Sequence, residues 1–298
     1  MEKIAASTPS SNFTTSDIGS IWQRPKGEYY LAHHAEEVAR LAAQHEVFLQ
    51  SMGRLVVAPV DLTRPNLRIL DAGAADGRWL LDLHSSLPST LGHQYIGIDS
   101  LSKFFSTSLP NQIILKEQRI DATWPPGWQS SFDYVHQRLV LPGSEHITHQ
   151  QTVTNLCQLV KPGGWIELIE QDHATPNPGG MAKAEQVVRE LFTHSGHGYD
   201  YALKLGEFLQ EAGMEDIKVE VFDIPLGALN PDPELAAKST WQVRSALEGF
   251  MPTIRGIKCS LPTEELEDMP AFTERELKRV GGYQRLVAAY GRRPSTST

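Results

Sequence analysis

Residues 68–79 read Arg-Ile-Leu-Asp-Ala-Gly-Ala-Ala-Asp-Gly-Arg-Trp, RILDAGAADGRW. A short apolar run, Leu67 to Asp71, has the length of a strand; a turn with Asp71, Gly73, Ala75 and Gly77 follows, and a helical pattern starts at Asp76. Gly73 and Gly77 accept backbone torsions that a side chain resists, and they let a ligand approach the main chain. Ala75 is small enough to keep the loop near such a ligand. The order D-x-G-x-A-x-G differs from the G-x-G-x-x-G loop that seats a pyrophosphate on a helix start. Asp71 and Asp76 bring negative charge to the turn, which disfavours a phosphate and helps a ligand carrying an ammonium group.

Downstream the pattern alternates. A helix is predicted over Asp76–His84, then strands over Tyr95–Asp99, Ile113–Arg119 and Phe132–Gln137. Thr148–Val160 reads as a helix with Val153, Leu156, Leu159 and Val160 on one side. Lys161-Pro162-Gly163-Gly164 reads as a turn before a strand at Trp165–Ile169. Short strands separated by helices predict a parallel α/β sheet. Upstream, Leu31, Ala35, Val38, Leu41, Ala42, His45, Phe48 and Met52 recur at three- and four-residue steps, predicting one helix over Tyr30–Met52 that Gly53 stops. After Glu170 the rhythm loosens. A turn-rich loop, Gln171–Gly180, precedes helices at Met181–His194 and Ala202–Ala212 and a strand at Ile217–Phe222. Helical pieces follow over Pro233–Phe250, then one or two acidic helices between Thr263 and Val280. The pattern of Gln284–Tyr290 fits either a last strand or the end of a helix.

A chain of 298 residues with 40% hydrophobic content supplies the core of one large domain with elaborations. Its formal charge of -9 and lack of a dense Lys/Arg cluster argue against a nucleic-acid partner, because phosphate binding needs a basic surface. Cys157 and Cys259 are the only cysteines and have no metal-ligand spacing, so a reducing compartment is expected. No apolar run has the length of a bilayer span, and residues 1–20 lack the apolar segment of a secretory signal. A cytoplasmic protein without a membrane partner is expected.

Asp99 closes the second predicted strand in YIGID, one strand–helix–strand step after Asp71. A carboxylate there can accept hydrogen bonds from both hydroxyls of a ribose. Asp121, in RIDA after the third strand, is placed to accept from an exocyclic amino group, with Ala122 lending its backbone. His136 and Arg138 follow in FDYVHQRL. Together these groups describe a nucleoside that carries an ammonium and no phosphate.

These segments resemble the class I S-adenosylmethionine-dependent methyltransferases. ILDAGAADG is similar to their first motif, with Asp71, Gly73 and Gly77 matching and Ala75 standing where glycine is frequent. YIGID resembles the ribose-binding segment, RIDA the adenine-binding acid, and FDYVHQRLVL and LVKPGGWIELIE the fourth and fifth motifs. The resemblance is close over Leu67–Glu170. FDYVHQRLVL with GGWIELIEQD is similar to fungal methyltransferases of secondary metabolism. EYYLAHHAEEVARLAAQHEVFLQSMG, with VVAP after it, is most like the group that methylates dithiol forms of epipolythiodioxopiperazines. The resemblance implies a Rossmann-like fold, a mostly parallel sheet flanked by helices. Residues 61–293 would form that domain, with helical inserts around 175–212 and 231–280, a helical cover over 21–60, and flexible tails at 1–20 and 294–298. It implies S-adenosyl-L-methionine as cofactor, S-adenosyl-L-homocysteine as product, no metal, and a small-molecule acceptor, preferably a thiol of a reduced dithiol diketopiperazine. An oxygen or nitrogen acceptor, or a regulator-like protein acting through protein partners, is the alternative. The implied cofactor set is Asp71, Gly73, Ala75, Gly77, Asp99, Ser100, Asp121, Ala122 and His136.

The methyl of a sulfonium is already activated, so alignment with the acceptor lone pair is the main task and supplies several kcal/mol of the barrier. A thiol, with a reference pKa of about 8.5, needs little help from a base; a phenol or alcohol needs more. His136, after the strand nearest the expected methyl-transfer crevice, is the candidate catalytic residue, a structural hydrogen bond being its other reading. The acceptor is expected to meet Trp22, Tyr29, Tyr30, His33, His34, Arg138, Phe192 and Tyr199. His33 and His34 are consecutive on a helix, so at most one of them faces the ligand. His45 reads as a core histidine and Trp79 as packing beneath its own helix.

Overall fold

Alternation of inward and outward residues breaks down where a strand has helices on both faces, and RILDA is such a strand. In the computed structural model, which describes residues 34–177, 179–196 and 198–295, it is β1 (Arg68–Ala72), at the centre of a seven-stranded sheet. The other strands are β2 (Gln94–Asp99), β3 (Ile113–Glu117), β4 (Phe132–Arg138), β5 (Val160–Gln171), β6 (Glu215–Leu226) and β7 (Gly282–Arg292). Their order is β3-β2-β1-β4-β5-β7-β6; β1 to β5 pair in parallel, and β7 lies antiparallel to both β5 and β6. The strand order reverses between β1 and β4. In open α/β sheets ligands bind beyond the strand tips at such a reversal.

The helices are α1 (His34–Met52), α2 (Arg78–Ser86), α3 (His149–Cys157), α4 (Ala182–His194), α5 (Leu205–Glu211), α6 (Pro233–Ile254) and α7 (Thr263–Val280). One buried layer holds Phe48, Ile69, Trp79, Leu83, Tyr134, Val187, Leu247 and Leu277, so α1, α2, α4, α6 and α7 cover one face of the sheet. A second layer holds Leu70, Val135, Val153, Leu156, Leu205 and Leu209, which puts α3 and α5 on the other. Consecutive Ile69 and Leu70 enter opposite layers, as the two-residue period of a strand requires. Among the described residues, no helix is long and apolar enough to cross a membrane.

Local chemistry explains the starts of two helices. Thr148 caps α3 through a reciprocal pairing with Gln151. Asp232 caps α6 by accepting the Glu234 and Leu235 amides, with Pro233 in the first turn. The differences from expectation lie where tertiary contacts decide. The Lys161–Gly164 turn is absorbed into β5, which shifts register opposite β4 between Phe132 and Tyr134 and pairs Gly163 and Gly164 with Arg293. Ala202–Ala212 divides into a tight 3₁₀ turn, Tyr201–Lys204, and α5. Thr263–Val280 is one helix, and Gln284–Tyr290 lies within strand β7.

The segment after α1 is pinned to the sheet. Glu167 on β5 accepts the Val57 and Ala58 amides at 2.7 and 2.6 Å, and Trp79 Nε1 donates to the Leu55 carbonyl at 3.1 Å. Gly97 is the closest packing point under the RILDAGAADGRW turn: a Cβ there would lie 2.5 Å from Leu115 Cδ2 and 2.7 Å from Ala74 Cβ. Gly97→Ala is expected to cost about 1–3 kcal/mol by overpacking, read from urea unfolding midpoints. A midpoint equal to the wild type's would show that the turn does not rest on β2.

Candidate functional site

The turn after β1 is held by main-chain bonds to β2. The Gly73 and Ala74 amides both donate to the Ile98 carbonyl at 2.8 Å, and the Gly77 amide donates to the Ala74 carbonyl. Gly73 has φ +87°, and a Cβ on it would meet Val140 Cβ at 2.9 Å, so a side chain is excluded twice over. Ala75 sits at φ +47°, an unusual conformation for a residue other than glycine. What holds it there is Asp99, whose Oδ2 accepts the Ala75 amide at 3.0 Å while Oδ1 accepts the Leu101 amide at 3.0 Å.

A recess of about 40 Å³ opens against this turn, lined by Gly73, Asp99, Ser100, Gln118, Arg119, Ile120, Val140 and Gly143. Each Asp99 oxygen accepts one amide and keeps lone-pair capacity for a further donor. Two such oxygens beside an approachable main chain fit the vicinal hydroxyls of a ribose. Burial raises the Asp99 carboxyl above its ordinary range; the Ala75 and Leu101 amides oppose that shift and the Asp71 charge adds to it. A larger surface recess, about 590 Å³, borders Leu203, Met214, Ile217 and Val219. It lies at the start of β6, whose Glu215 pairs with Arg292 across from Trp165 early in β5, so it sits at the end of the sheet remote from the turn.

The wall facing Gly73 is the loop after β4, and a buried acid holds it. Glu170 Oε1 accepts Gln137 Nε2 at 2.5 Å and the Val140 and Leu141 amides at 3.0 and 2.9 Å, while Oε2 is buried without a partner among the described residues. Burial pushes the Glu170 carboxyl up to about 7, against the opposing pull of those donors.

Gly73, Ala75, Asp99 and Ser100 therefore meet at one place, with Gly77 closing the turn. Other predicted residues are placed differently. Asp121 is directed away from the recess: its carboxylate is clamped by Arg119 at 2.9 and 3.0 Å and also accepts the Glu145 and His146 amides. None of its side-chain surface is exposed. Burial draws that carboxyl upward, but the Arg119 bonds and the amides outweigh it and hold it below its usual range. Gln118, Arg119 and Ile120 line the recess, whereas Asp121 and the half-buried Ala122 are not part of its lining.

His136 is likewise inside the sheet. Its Nδ1 lies 2.8 Å from Asp71 Oδ1, its ring stacks on Trp79 at 3.9 Å and 2°, and its buried Nε2 has no partner among the described residues. With its ring covered, His136 is a hydrogen-bond partner of Asp71 and not a base presented to an acceptor, the structural reading of this residue. Arg138 does not reach an acceptor either. Its Nη2 donates to His45 Nδ1 at 2.8 Å and its guanidinium packs 5.7 Å from the centre of Phe48, under α1. His45 passes the interaction on through Nε2 to Asp82 at 2.9 Å. Burial, then the charge of Arg138, lowers the His45 pKa to about 4, so the ring is neutral and Nε2 carries the proton.

Phe192 is buried in the core, touching His173 and Tyr201, whereas Tyr199 is exposed. Trp22, Tyr29, Tyr30 and His33 lie outside the described residues, as do residues 1–20; His34 opens α1, and its side chain is likewise outside them. The sequence reading did not include Val140, Gly143, Arg119 or Glu170. For Glu170 a signal existed: with Glu167 it is one of two acids in the otherwise apolar run IELIE.

A family model described as a methyltransferase domain matches residues 32–219. The chain is similar to the N-methyltransferase sirN of Leptosphaeria maculans, 32% identical over 91% of this chain and 96% of that protein. It is also similar to the N-methyltransferase tcpN of Claviceps purpurea, 34% identical over 88% of this chain and 96% of that protein. Among solved structures, the phosphoethanolamine N-methyltransferase 2 of Haemonchus contortus, in complex with phosphomonomethylethanolamine and S-adenosylhomocysteine, superposes with a TM-score of 0.51 at 14% identity. That superposition covers 86% of this chain and 57% of the other, and it shows the shared fold.

Two variants test the site. Asp99→Ala is expected to weaken S-adenosylhomocysteine binding at least tenfold by calorimetry, because two hydroxyl acceptors and the clamp on Ala75 are lost together; near-normal affinity would remove Asp99 from this role. Glu170 has a folded value of about 7 against an ordinary 4.5. The folded state thus holds the extra proton between those values, and the stability this contributes, full below about 4.5, is lost as pH rises through about 7. Glu170→Gln is expected to be less sensitive than wild type to a change from pH 5 to pH 8, by on the order of 2–3 kcal/mol in urea unfolding. Identical pH slopes would contradict it.

Proposed function

The chain belongs to the class I S-adenosylmethionine-dependent methyltransferases, and from that premise we propose that it methylates a nitrogen of a small fungal metabolite. The observation that carries the reading is the turn itself: Asp99, fixed by the Ala75 and Leu101 amides, with Gly73 bare beside it. When bound, S-adenosylmethionine supplies an electrophilic methyl on a sulfonium that leaves as a thioether. The protein's part is to hold the ribose on Asp99, to bring main chain close at Gly73, and to keep the negative charge of Asp71 below the turn through His136.

Nitrogen takes the place of the sulfur acceptor expected from resemblance because sirN and tcpN, each aligned over 96% of its length, are N-methyltransferases. The chemistry of a nitrogen acceptor depends on its class. An amine presents a lone pair directly, whereas an amide lone pair is delocalised into the carbonyl and needs its proton drawn off as the methyl arrives. The acceptor is proposed to enter beside the strand tips, with Tyr199 bordering the opening; Trp22, Tyr29, Tyr30, His33 and the His34 side chain lie outside the described residues.

The test is incubation with labelled S-adenosylmethionine and a panel of amines, cyclic amides, dithiols and phenols, with the methylated atom located by mass spectrometry. Label on nitrogen is the expected result. Label only on sulfur or oxygen would overturn the acceptor assignment.

A further inference from the structure

Past the end of β5 the chain turns through Asp172 and His173, and α4 packs against that turn. His173 Nδ1 lies 2.8 Å from Glu185 Oε2 on α4. Arg189 Nη1, one helical turn further on, donates to the His173 carbonyl at 3.2 Å, and Phe192 supports the imidazole at a ring separation of 5.1 Å. The other Glu185 oxygen accepts Gln171 Nε2 at 3.0 Å. Gln171 in turn accepts from Gln284 of β7 at 2.6 Å, and Gln284 accepts from Gln242 of α6 at 3.2 Å. One carboxylate oxygen thus accepts from Gln171, the end of a chain of three buried glutamines from three elements, and the other holds the imidazole. Apolar side chains would fill this layer at lower desolvation cost, so the relay calls for another explanation than packing.

Its chemistry and place supply one. A histidine whose Nδ1–H is held by a carboxylate presents Nε2 as a proton acceptor, the arrangement of an oriented base. Arg138 of β4 pairs with Ile169 of β5, so His173 stands beyond the tip of β5, on the same side of the sheet as the β1–β4 switch point and one strand over from β4. Its side chain is 8% exposed, against 2% for His136 under Trp79. The charged and titratable groups around it are Glu185 and Arg189 of α4 and Glu170 of β5, with Asp172 next in the chain.

We propose that His173, oriented by Glu185, is the base that removes the proton from the acceptor nitrogen; this rests on the nitrogen reading above. The nitrogen lone pair forms the N–C bond as the S–C bond breaks, and the electrons of that bond stay on sulfur as the neutral thioether. The nitrogen's proton passes to Nε2, giving an imidazolium beside the Glu185 carboxylate, and water carries the proton away.

The experiment first fixes the atom that the wild type methylates and then compares variants on that acceptor. His173→Gln keeps an N–H donor for Glu185 but cannot titrate. It is expected to lower kcat by about a hundredfold or more, to leave S-adenosylhomocysteine affinity within twofold, and to abolish the acid limb of the kcat–pH profile. Glu185→Gln is expected to lower kcat about tenfold and move that limb to lower pH. Retention of kcat within threefold with the acid limb intact in His173→Gln would overturn the proposal, as would a loss matched by the loss of cofactor affinity. If the wild type transfers only to sulfur or oxygen, the nitrogen reading fails, while the same comparison on that acceptor still decides for or against His173.

Discussion

The carboxylate of Asp99 ties together the turns after β1 and β2, adding to the main-chain bonds that Gly73 and Ala74 donate to Ile98. One oxygen takes the Ala75 amide and the other the Leu101 amide, so the loops after β1 and β2 are set against each other by a single side chain. That bond keeps Ala75 in the left-handed region and keeps the Gly73 main chain facing the recess. The remaining lone pairs are what a ribose needs. The arrangement is electrostatically expensive, since Asp71 lies close enough to raise the Asp99 carboxyl further. A ligand bringing hydroxyl donors and a positive charge relieves both strains, whereas a phosphate would add to them.

Beneath the turn the sheet carries a row of polar groups where an apolar layer would be simpler. Asp71, His136 and Glu167 are direct neighbours across β1, β4 and β5. Buried charges require partners, and here the partners come in large part from the N-terminal segment. Val57 and Ala58 satisfy one oxygen of Glu167, and His45 satisfies Arg138. His45, Val47, Phe48, Val57 and Ala58 are thus part of the core, and lifting this segment would leave Glu167 and Arg138 without these partners. The turn after β5 has its own polar system of Glu185, His173 and three glutamines, separate from this row.

The central sheet was legible in the sequence because strand and helix periods alternate there and because Gly73, Gly77 and Asp99 are small-residue or acidic breaks at strand ends. Side-chain direction was not legible. The RIDA motif places Asp121 near a ligand, yet Arg119 lies two residues before it in a turn closed by the Ala122 amide on the Arg119 carbonyl, and its guanidinium clamps the carboxylate. His136 falls on the face covered by Trp79, and that depends on register with β1, a tertiary property that no local pattern encodes. Gln284–Tyr290 gave no clear period because β7 lies between two strands and is buried on both faces. His173 escaped notice because its partner Glu185 is on the next helix, and only the packing of α4 joins them.

Hydrogen–deuterium exchange with and without S-adenosylhomocysteine tests the central claim most directly, because it locates the bound ligand without assuming an acceptor. Protection is predicted at residues 73–77, 99–101 and 118–120, with no change over 203–219 beside the larger surface recess. Unchanged exchange at the first three segments under saturating ligand, or protection confined to 203–219, would contradict the placement of the cofactor on Asp99.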